Sequence, residues 1–479
     1  MTSRAACDVL VIGAGLSGLA CAVRAALSGD AVILAEAHDR AGGLNSWFRR
    51  GGRELSTGLH AFTHFLPPDR APAAAPLSRL LRQLRLKREA LRLAPQKGSA
   101  IRFPSATLRF DNNPETLRAS VAAAFPGQID AFDRLVGHID AIDEATYDHT
   151  PESARRRLAS FLSEPLLIDM LCAPVFYYGS PTEGDMDWLA FCVLWKGLFR
   201  SGLAYPEGGV RPLLEALLER FRAEGGELRL GARVEKILLA EGGRRIAGAR
   251  LAGGGEIRAE HIFSCAGRAE TLRLVEGNPP DAARETESRI SVAELLVTLN
   301  RPPSEAGLAE SVLFWSARDR FDFSAPEGTV RLDHGVLAAP ENYALPGPPA
   351  ETPPGEHLVR ASALANYGAW RAVPDYRAAK QDAGDRMLEA ARLGAGLETS
   401  GRETWRDLAT PLTLERYTGH ARGALYGGTT KDREGRCGYE RLYLIGADQG
   451  FHGLVGALLS GAAVYNRVRQ RERFPSGKG

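Results

Sequence analysis

The stretch Val9-Leu10-Val11-Ile12-Gly13-Ala14-Gly15-Leu16-Ser17-Gly18 decides the fold. An apolar strand runs into a glycine-rich turn, and the turn opens a helix expected over Leu19–Leu27. A second apolar strand, Ala31–Leu34, then ends just before Glu36. This is the order that a βαβ dinucleotide-binding unit requires. Gly13 allows the tight turn, and Gly15 lets the backbone approach a pyrophosphate with no Cβ in the way. Gly18, with Ala22 one turn on, lets helix and strand pack closely. Phosphates are expected on the unpaired N–H groups of the helix N-terminus, around Leu16 and Ser17, where the dipole favours negative charge. Glu36 stands where a carboxylate accepts both hydroxyls of an adenosine ribose. The same carboxylate repels a 2′-phosphate, which argues against NADP.

A chain of 479 residues, 44% hydrophobic and 25% charged, has the length and composition of a globular protein of two or three domains. Its net charge of +2 gives no reason to expect nucleic acid or an acidic partner. The six cysteines show neither CxxC pairing nor metal-ligand spacing, so buried free thiols in a reducing compartment are expected, and no metal. The Met1–Cys7 start lacks the regions of a signal peptide, and no apolar run approaches the ~20 residues of a membrane span. A cytoplasmic location follows as the expectation. Two segments are candidates for peripheral membrane contact. Leu77–Leu93 sets a leucine stripe against arginines, although Arg88 falls on the leucine face, which favours a packed helix. Trp188–Phe199 is apolar up to Lys196, and reads equally as core or as the mouth for a lipid substrate.

Beyond Glu36 come Arg40-Ala41-Gly42-Gly43, a proline- and alanine-rich exit at Pro67–Pro76, and helical pattern over Pro114–Ile142 and Ser153–Leu171. After Tyr205-Pro-Glu-Gly-Gly209, a helix is expected over Arg211–Glu224 and strands over Glu227–Leu230, Val234–Ile237, Ile246–Leu251, Glu256–Ala259 and Ile262–Cys265. Three β-rich runs, Ala293–Leu299, Val312–Trp315 and Leu358–Ala363, precede a helix over Asp375–Leu393. The chain closes with strand Leu442–Ile445, a turn at Gly446, and a helix expected over Gly456–Val468. In a flavoprotein, Asp448 can hold the ribityl chain and pyrophosphate. The positive end of the helix that follows can stabilise the negative charge that reduction places near flavin N1 and O2.

These motifs together resemble the FAD-dependent amine oxidase superfamily. Thr410-Pro-Leu-Thr-Leu-Glu-Arg-Tyr-Thr-Gly419 and Gly423-Ala-Leu-Tyr-Gly427 look like its branch of phytoene desaturases, carotenoid isomerases and retinol saturases. The resemblance implies an α/β fold: a discontinuous Rossmann-type FAD-binding domain (1–75, 205–285 and 408–479) and a second α+β substrate domain (76–204 and 286–407). It implies FAD on Gly13, Gly15, Leu16, Ser17, Gly18, Glu36 and Ala37. Arg40, Gly42, Gly43, Leu44, Gly58, Leu59 and His60 would lie toward pyrophosphate and flavin. Val234, Ala266, Gly267, Gly446 and Asp448 complete the set, with helix N–H groups at Gly456 and Ala457 beside the isoalloxazine. Two segments depart from the desaturase pattern, Leu59-His60 and Gln449–Gly456, and look more like the saturase or isomerase side.

No nucleophile triad or carboxylate pair stands out, and flavin chemistry needs none. By motif position, His60, Arg416, Tyr417, Tyr426 and His452 are the polar groups expected nearest the flavin, as catalytic candidates. Each also has a plain reading as a packed or paired side chain. The leading expectation is an oxidoreductase that desaturates, saturates or isomerises a long apolar polyene, a small-molecule partner. One alternative is a flavin amine oxidase, for which Phe451 is the lone candidate for an aromatic wall in the last motif. The other is a non-catalytic prenyl or lipid carrier resembling the Rab GDP-dissociation inhibitors.

Overall fold

The computed structural model describes residues 5–70, 72, 75–144 and 150–473. Residues 1–4 of the chain start, and 71, 73 and 74 of the proline-rich exit, lie outside the described residues.

Strand β1 (Ala6–Ile12), helix α1 (Leu16–Ala26) and strand β2 (Val32–Ala35) form the expected unit. β1 runs parallel to β2 on one side and to the strand Glu256–Ser264 on the other. Val9, Leu10 and Val11 are at most 1% exposed, as a central strand covered on both faces requires. Glu227–Arg229 extends the sheet beyond β2. The two strands expected over 256–259 and 262–265 are one nine-residue strand. Its two halves pair with different neighbours along one edge: 256–258 with Ile246–Leu251, and 262–264 with Leu442–Leu444.

The second sheet has seven strands, in the order Glu403–Ala409, Ser291–Leu299, His357–Ala365, His334–Ala338, Val312–Ser316, Ser99–Arg102 and Thr107–Phe110. It is antiparallel except where Val312–Ser316 runs beside Ser99–Arg102. Helix Tyr376–Ala395 packs on it, and Asp375 caps that helix by accepting from the N–H groups of Arg377 and Ala378.

Two expected helical segments differ in extent, and an apolar run whose form the sequence leaves open is helical. Helix Pro76–Gln83 stops well short of residue 93; Arg88 then lies over the Phe65 ring and donates to the Leu66 carbonyl. The 114–142 pattern breaks at Phe125, whose φ of −136° and ψ of 62° divide two helices. Trp188–Trp195 continues into a π-turn, Lys196–Arg200, and Trp188, Phe191, Trp195, Leu198 and Phe199 are buried in the main core. Among the described residues, no helix is long and apolar enough to cross a membrane.

Candidate functional site

The glycine turn is built by contact. Gly13 has φ +93°, and a Cβ there would stand 2.6 Å from Cys265 Sγ. A Cβ on Gly18 would stand 1.9 Å from the Gly13 carbonyl oxygen, so this glycine is fixed by backbone packing. Gly15 caps α1 with no side-chain bond, so no capping side chain occupies the first-turn N–H groups. The 42–46 segment crosses in front. Gly42 N–H donates to Ala14 O at 2.8 Å, and a Cβ on Gly43 would lie 3.3 Å from Gly15 Cα. Thr57 fastens this segment from behind, donating to Leu44 O at 2.8 Å, while Gly58 abuts the same carbonyl. Arg40 is held to the side, donating to Trp47 O at 2.9 Å with its guanidinium over the Trp47 ring. Cys265 donates to Gly13 O at 3.2 Å, and burial pushes its thiol up to about 11.

At the outer end of β2, Glu36 accepts from Ala14 N–H at 2.6 Å and from His38 N–H at 2.8 Å. The 36–38 backbone also binds 229–232, the segment that leads into Val234. Ala37 is exposed.

The closing helix runs over Gly453–Arg473, one turn earlier than expected. The free N–H groups therefore belong to Gly453 through Gly456, and that of Ala457 is committed inside the helix. Gly456 has a packing role, since its Cβ would stand 3.1 Å from the Phe451 carbonyl carbon. A Cβ on Gly461 would meet Ser17 O at 1.9 Å. The two helices thus touch backbone to backbone, and the closing helix starts eight residues, about 12 Å, before that contact. Gly446, at φ +97°, turns beside Ser17 Oγ and donates to Ser460 Oγ at 2.6 Å. The Asp448 carboxylate accepts from Gly428 N–H at 2.5 Å and Arg268 N–H at 2.6 Å. It fastens the loops after Ala266-Gly267 and Tyr426 to the turn.

The five catalytic candidates have three sets of neighbours. Arg416 and Tyr417 are exposed, with the Tyr417 ring 5.2 Å from that of His38. This is the Glu36 end of the site. The capping box between Thr410 and Thr413 sets the phase of helix Pro411–Thr418, turning Pro411 inward and Arg416 and Tyr417 outward. Tyr426 and His452 stay together, their rings edge to face at 6.1 Å. His452 is buried, and burial, reinforced by the charges of Lys431 and Arg433, holds it well below the usual histidine range. His60 forms the third group, 2.8 Å from Ser362 Oγ and 3.8 Å from Glu294. Burial lowers its pKa, Glu294 opposes the shift, and Arg360 adds to it.

Behind His60 lies a network missing from the sequence reading. Arg360, 0% exposed, donates to Ser56 O at 2.8 Å, Glu294 at 3.4 Å and Glu351 at 3.1 Å. Glu351 also accepts from Ser56 N–H at 2.9 Å and from the Tyr205 hydroxyl. The signal was a charge inside an apolar run: Glu294 within 293–299 and Arg360 within 358–363. A second missed group is Lys431, which donates to Tyr426 O at 2.5 Å and Ala447 O at 2.9 Å. Burial pulls it down to about 8 against the opposing charge of Asp448.

This arrangement fits an extended flavin dinucleotide. The glycine turn is a cradle that any Cβ would fill, and two helix N-termini are offset by about 12 Å. A family model described as flavin containing amine oxidoreductase matches residues 16–468, and the chain belongs to that family. Its cofactor is FAD. Prolycopene isomerase from the chloroplast of Arabidopsis thaliana is 22% identical over 96% of this chain and 82% of its own. All-trans-retinol 13,14-reductase of Danio rerio is 22% identical over 98% of this chain and 88% of its own. An oxidoreductase from Methanosarcina mazei shares the fold with a TM-score of 0.67 at 18% identity, over 96% of this chain and 100% of that one.

Proposed function

We propose that this FAD-dependent oxidoreductase acts on a long apolar polyene, a carotenoid, retinoid or related lipid, by desaturation, saturation or flavin-assisted isomerisation. Bound FAD supplies hydride chemistry at its ring. The observation that carries the reading is the wall beside the start of the closing helix. Tyr178 packs on Phe314 and Tyr426 on His452, with the buried Tyr177, Phe321 and Phe323 clustered together in the core. Such a wall orients a hydrocarbon chain and keeps water out. We assign proton handling to His60 and His452, whose pKa values burial lowers.

The division of labour follows the two sheets, with 1–75, 205–285 and 408–479 binding FAD and the remainder holding substrate. An amine substrate is disfavoured, because the Arg433 guanidinium already covers the Phe451 ring at 5.1 Å and Lys431 adds positive charge nearby. All six cysteines are free thiols, which supports a reducing compartment.

The test is to reconstitute the protein with FAD and incubate it anaerobically with carotenoids, retinoids, polyenoic lipids and amines, following flavin absorbance and product mass. Conversion of a polyene supports the reading. Bleaching by an amine and by no polyene refutes it, and a protein unable to take up FAD leaves the carrier alternative.

A further inference from the structure

A cavity of about 420 Å³ opens where three helices meet. It is lined by Arg24 and Leu27 at the end of α1, by Arg82, Gln83 and Arg85 at the end of helix Pro76–Gln83, and by Asn466 of the closing helix. The volume is that of a small-molecule site. Arg82 and Arg85 are exposed and Arg24 is half-buried, so the cavity is open to solvent. No carboxylate lines it. Asp30, the acid that follows α1 in the chain, is held elsewhere: it accepts from Arg469 at 2.9 Å and from the Tyr465 hydroxyl at 2.6 Å. Arg24 lies about 13 Å along α1 from Gly15, so the cavity is separate from the glycine cradle.

The plain explanation of arginines here is the helix dipole, since two helices end at this cavity. Each negative end is worth about half a charge, so the two together call for about one. Arg24 and Arg85 already supply two, and Arg82 lines the same cavity. Nor does the chain satisfy these groups internally. Arg24 donates to the neutral Ser28 hydroxyl at 2.9 Å, and its Nε is buried with no hydrogen-bond partner among the described residues. The Arg85 guanidinium makes neither a hydrogen bond nor an ion pair among the described residues.

Arg85 also occupies a place that suits glycine. Leu86 N–H reaches back to Leu81 O at 2.9 Å, the turn that ends a helix with a left-handed residue just before it. Arg85 holds that conformation at φ +50°. Glycine would end the helix there without strain, so what the position gains from arginine is the guanidinium.

We propose that this cavity is an anion site that takes a phosphate or diphosphate group, distinct from the FAD cradle and independent of the polyene reading. Guanidinium groups meet phosphate oxygens through paired N–H donors. Gln83 adds an amide donor, since Asn466 Nδ2 already occupies its Oε1 at 3.2 Å. A phosphate brings more charge and more acceptor oxygens to these donors than a carboxylate does. It arrives either on a soluble molecule or as the headgroup of a lipid.

The test uses the FAD-loaded protein, whose glycine cradle is filled. The soluble probe is inorganic pyrophosphate, followed by calorimetric titration at constant ionic strength. The lipid probe is phosphatidylcholine vesicles with or without phosphatidic acid, followed by co-sedimentation. Binding should weaken at least about tenfold in Arg24→Gln and in Arg85→Gly, with flavin content kept. Arg85→Gly removes the guanidinium while easing the backbone, so it reports even where Arg24→Gln fails to fold. Pyrophosphate binding without co-sedimentation supports a soluble phosphate. Co-sedimentation that requires phosphatidic acid and is lost in the variants supports a headgroup. Failure of both probes to bind overturns the proposal, as does binding that both variants retain. Equal binding of acetate overturns the choice of phosphate, and release of flavin by pyrophosphate overturns the separate site by placing the probe in the cradle.

Discussion

Gly461→Ala sets two effects of opposite sign against each other. Replacing a helical glycine by alanine favours the helix by about 1 kcal/mol. Here, however, the new Cβ stands 1.9 Å from Ser17 O and 2.9 Å from Cys21 N. Ordinary contact begins near 3.4 Å, so the closing helix must move from α1 by about 1.5 Å. The opposing atoms belong to the backbone of a buried helix and cannot swing aside. Overpacking of this kind costs about 1–3 kcal/mol, and the rigid partner argues for the upper end. The net expectation is a loss of about 2 kcal/mol, a fall of a few degrees in Tm of the FAD-free protein. The movement also shifts the N–H groups of 453–456 against those of 16–18, so FAD affinity should fall by about tenfold, the worth of one hydrogen bond. Thermal unfolding of the FAD-free protein and titration of flavin fluorescence measure the two effects. A variant that is more stable by the helix-propensity gain, with unchanged FAD affinity, refutes the backbone-to-backbone packing and its role in spacing the two helix ends.

Glu36→Ala removes the acceptor for the Ala14 and His38 N–H groups and should lower FAD retention by at least about tenfold; flavin content like that of the unaltered enzyme contradicts the ribose assignment. Glu351→Gln leaves the buried Arg360 with Glu294 as its charged partner and should destabilise the protein by about 3 kcal/mol, read as a lower denaturation midpoint. His64, buried beside Gly197, is pulled by burial from 6.5 to about 4, so it is neutral when folded and takes a proton more readily unfolded. Its contribution is complete above pH 6.5 and is lost as pH falls towards 4, reaching about 2 kcal/mol at pH 5. Urea unfolding at pH 7.5 and pH 5 should show this loss, reduced in His64→Asn, which tolerates the φ of +60° at that position; an equal loss in that variant assigns the pH dependence elsewhere.

The β1–α1–β2 unit was readable because its causes are local: the glycines, the apolar strands and Glu36 lie within one short stretch and act on one another directly. The closing strand, turn and helix were readable for the same reason, apart from the helix start. Gly453, at φ +72°, reads as one more loop glycine until the structure shows the helix beginning there. Glu294, Glu351 and Arg360 were illegible because each is an ordinary charge in isolation; strand pairing joins Glu294 to Arg360, and the turn before that strand folds Glu351 onto them. Arg416 and Tyr417 read as flavin neighbours from a motif that fixes their helix, whereas in the structure Tyr417 packs by His38 and Arg416 lies exposed over the Tyr417 ring. The setting of His452 depends on Gly179, which a linear reading passes over as the end of an apolar helix.

Amide hydrogen exchange with and without FAD tests most directly whether one cofactor spans both helix ends. The structure predicts that FAD slows exchange in two segments far apart in the chain, 14–18 with 36–43 and 446–456, at the same FAD concentration. Protection confined to the first segment, with 446–456 exchanging as in the FAD-free protein, contradicts an FAD extended from Glu36 to Gly453 and the substrate site placed beyond it.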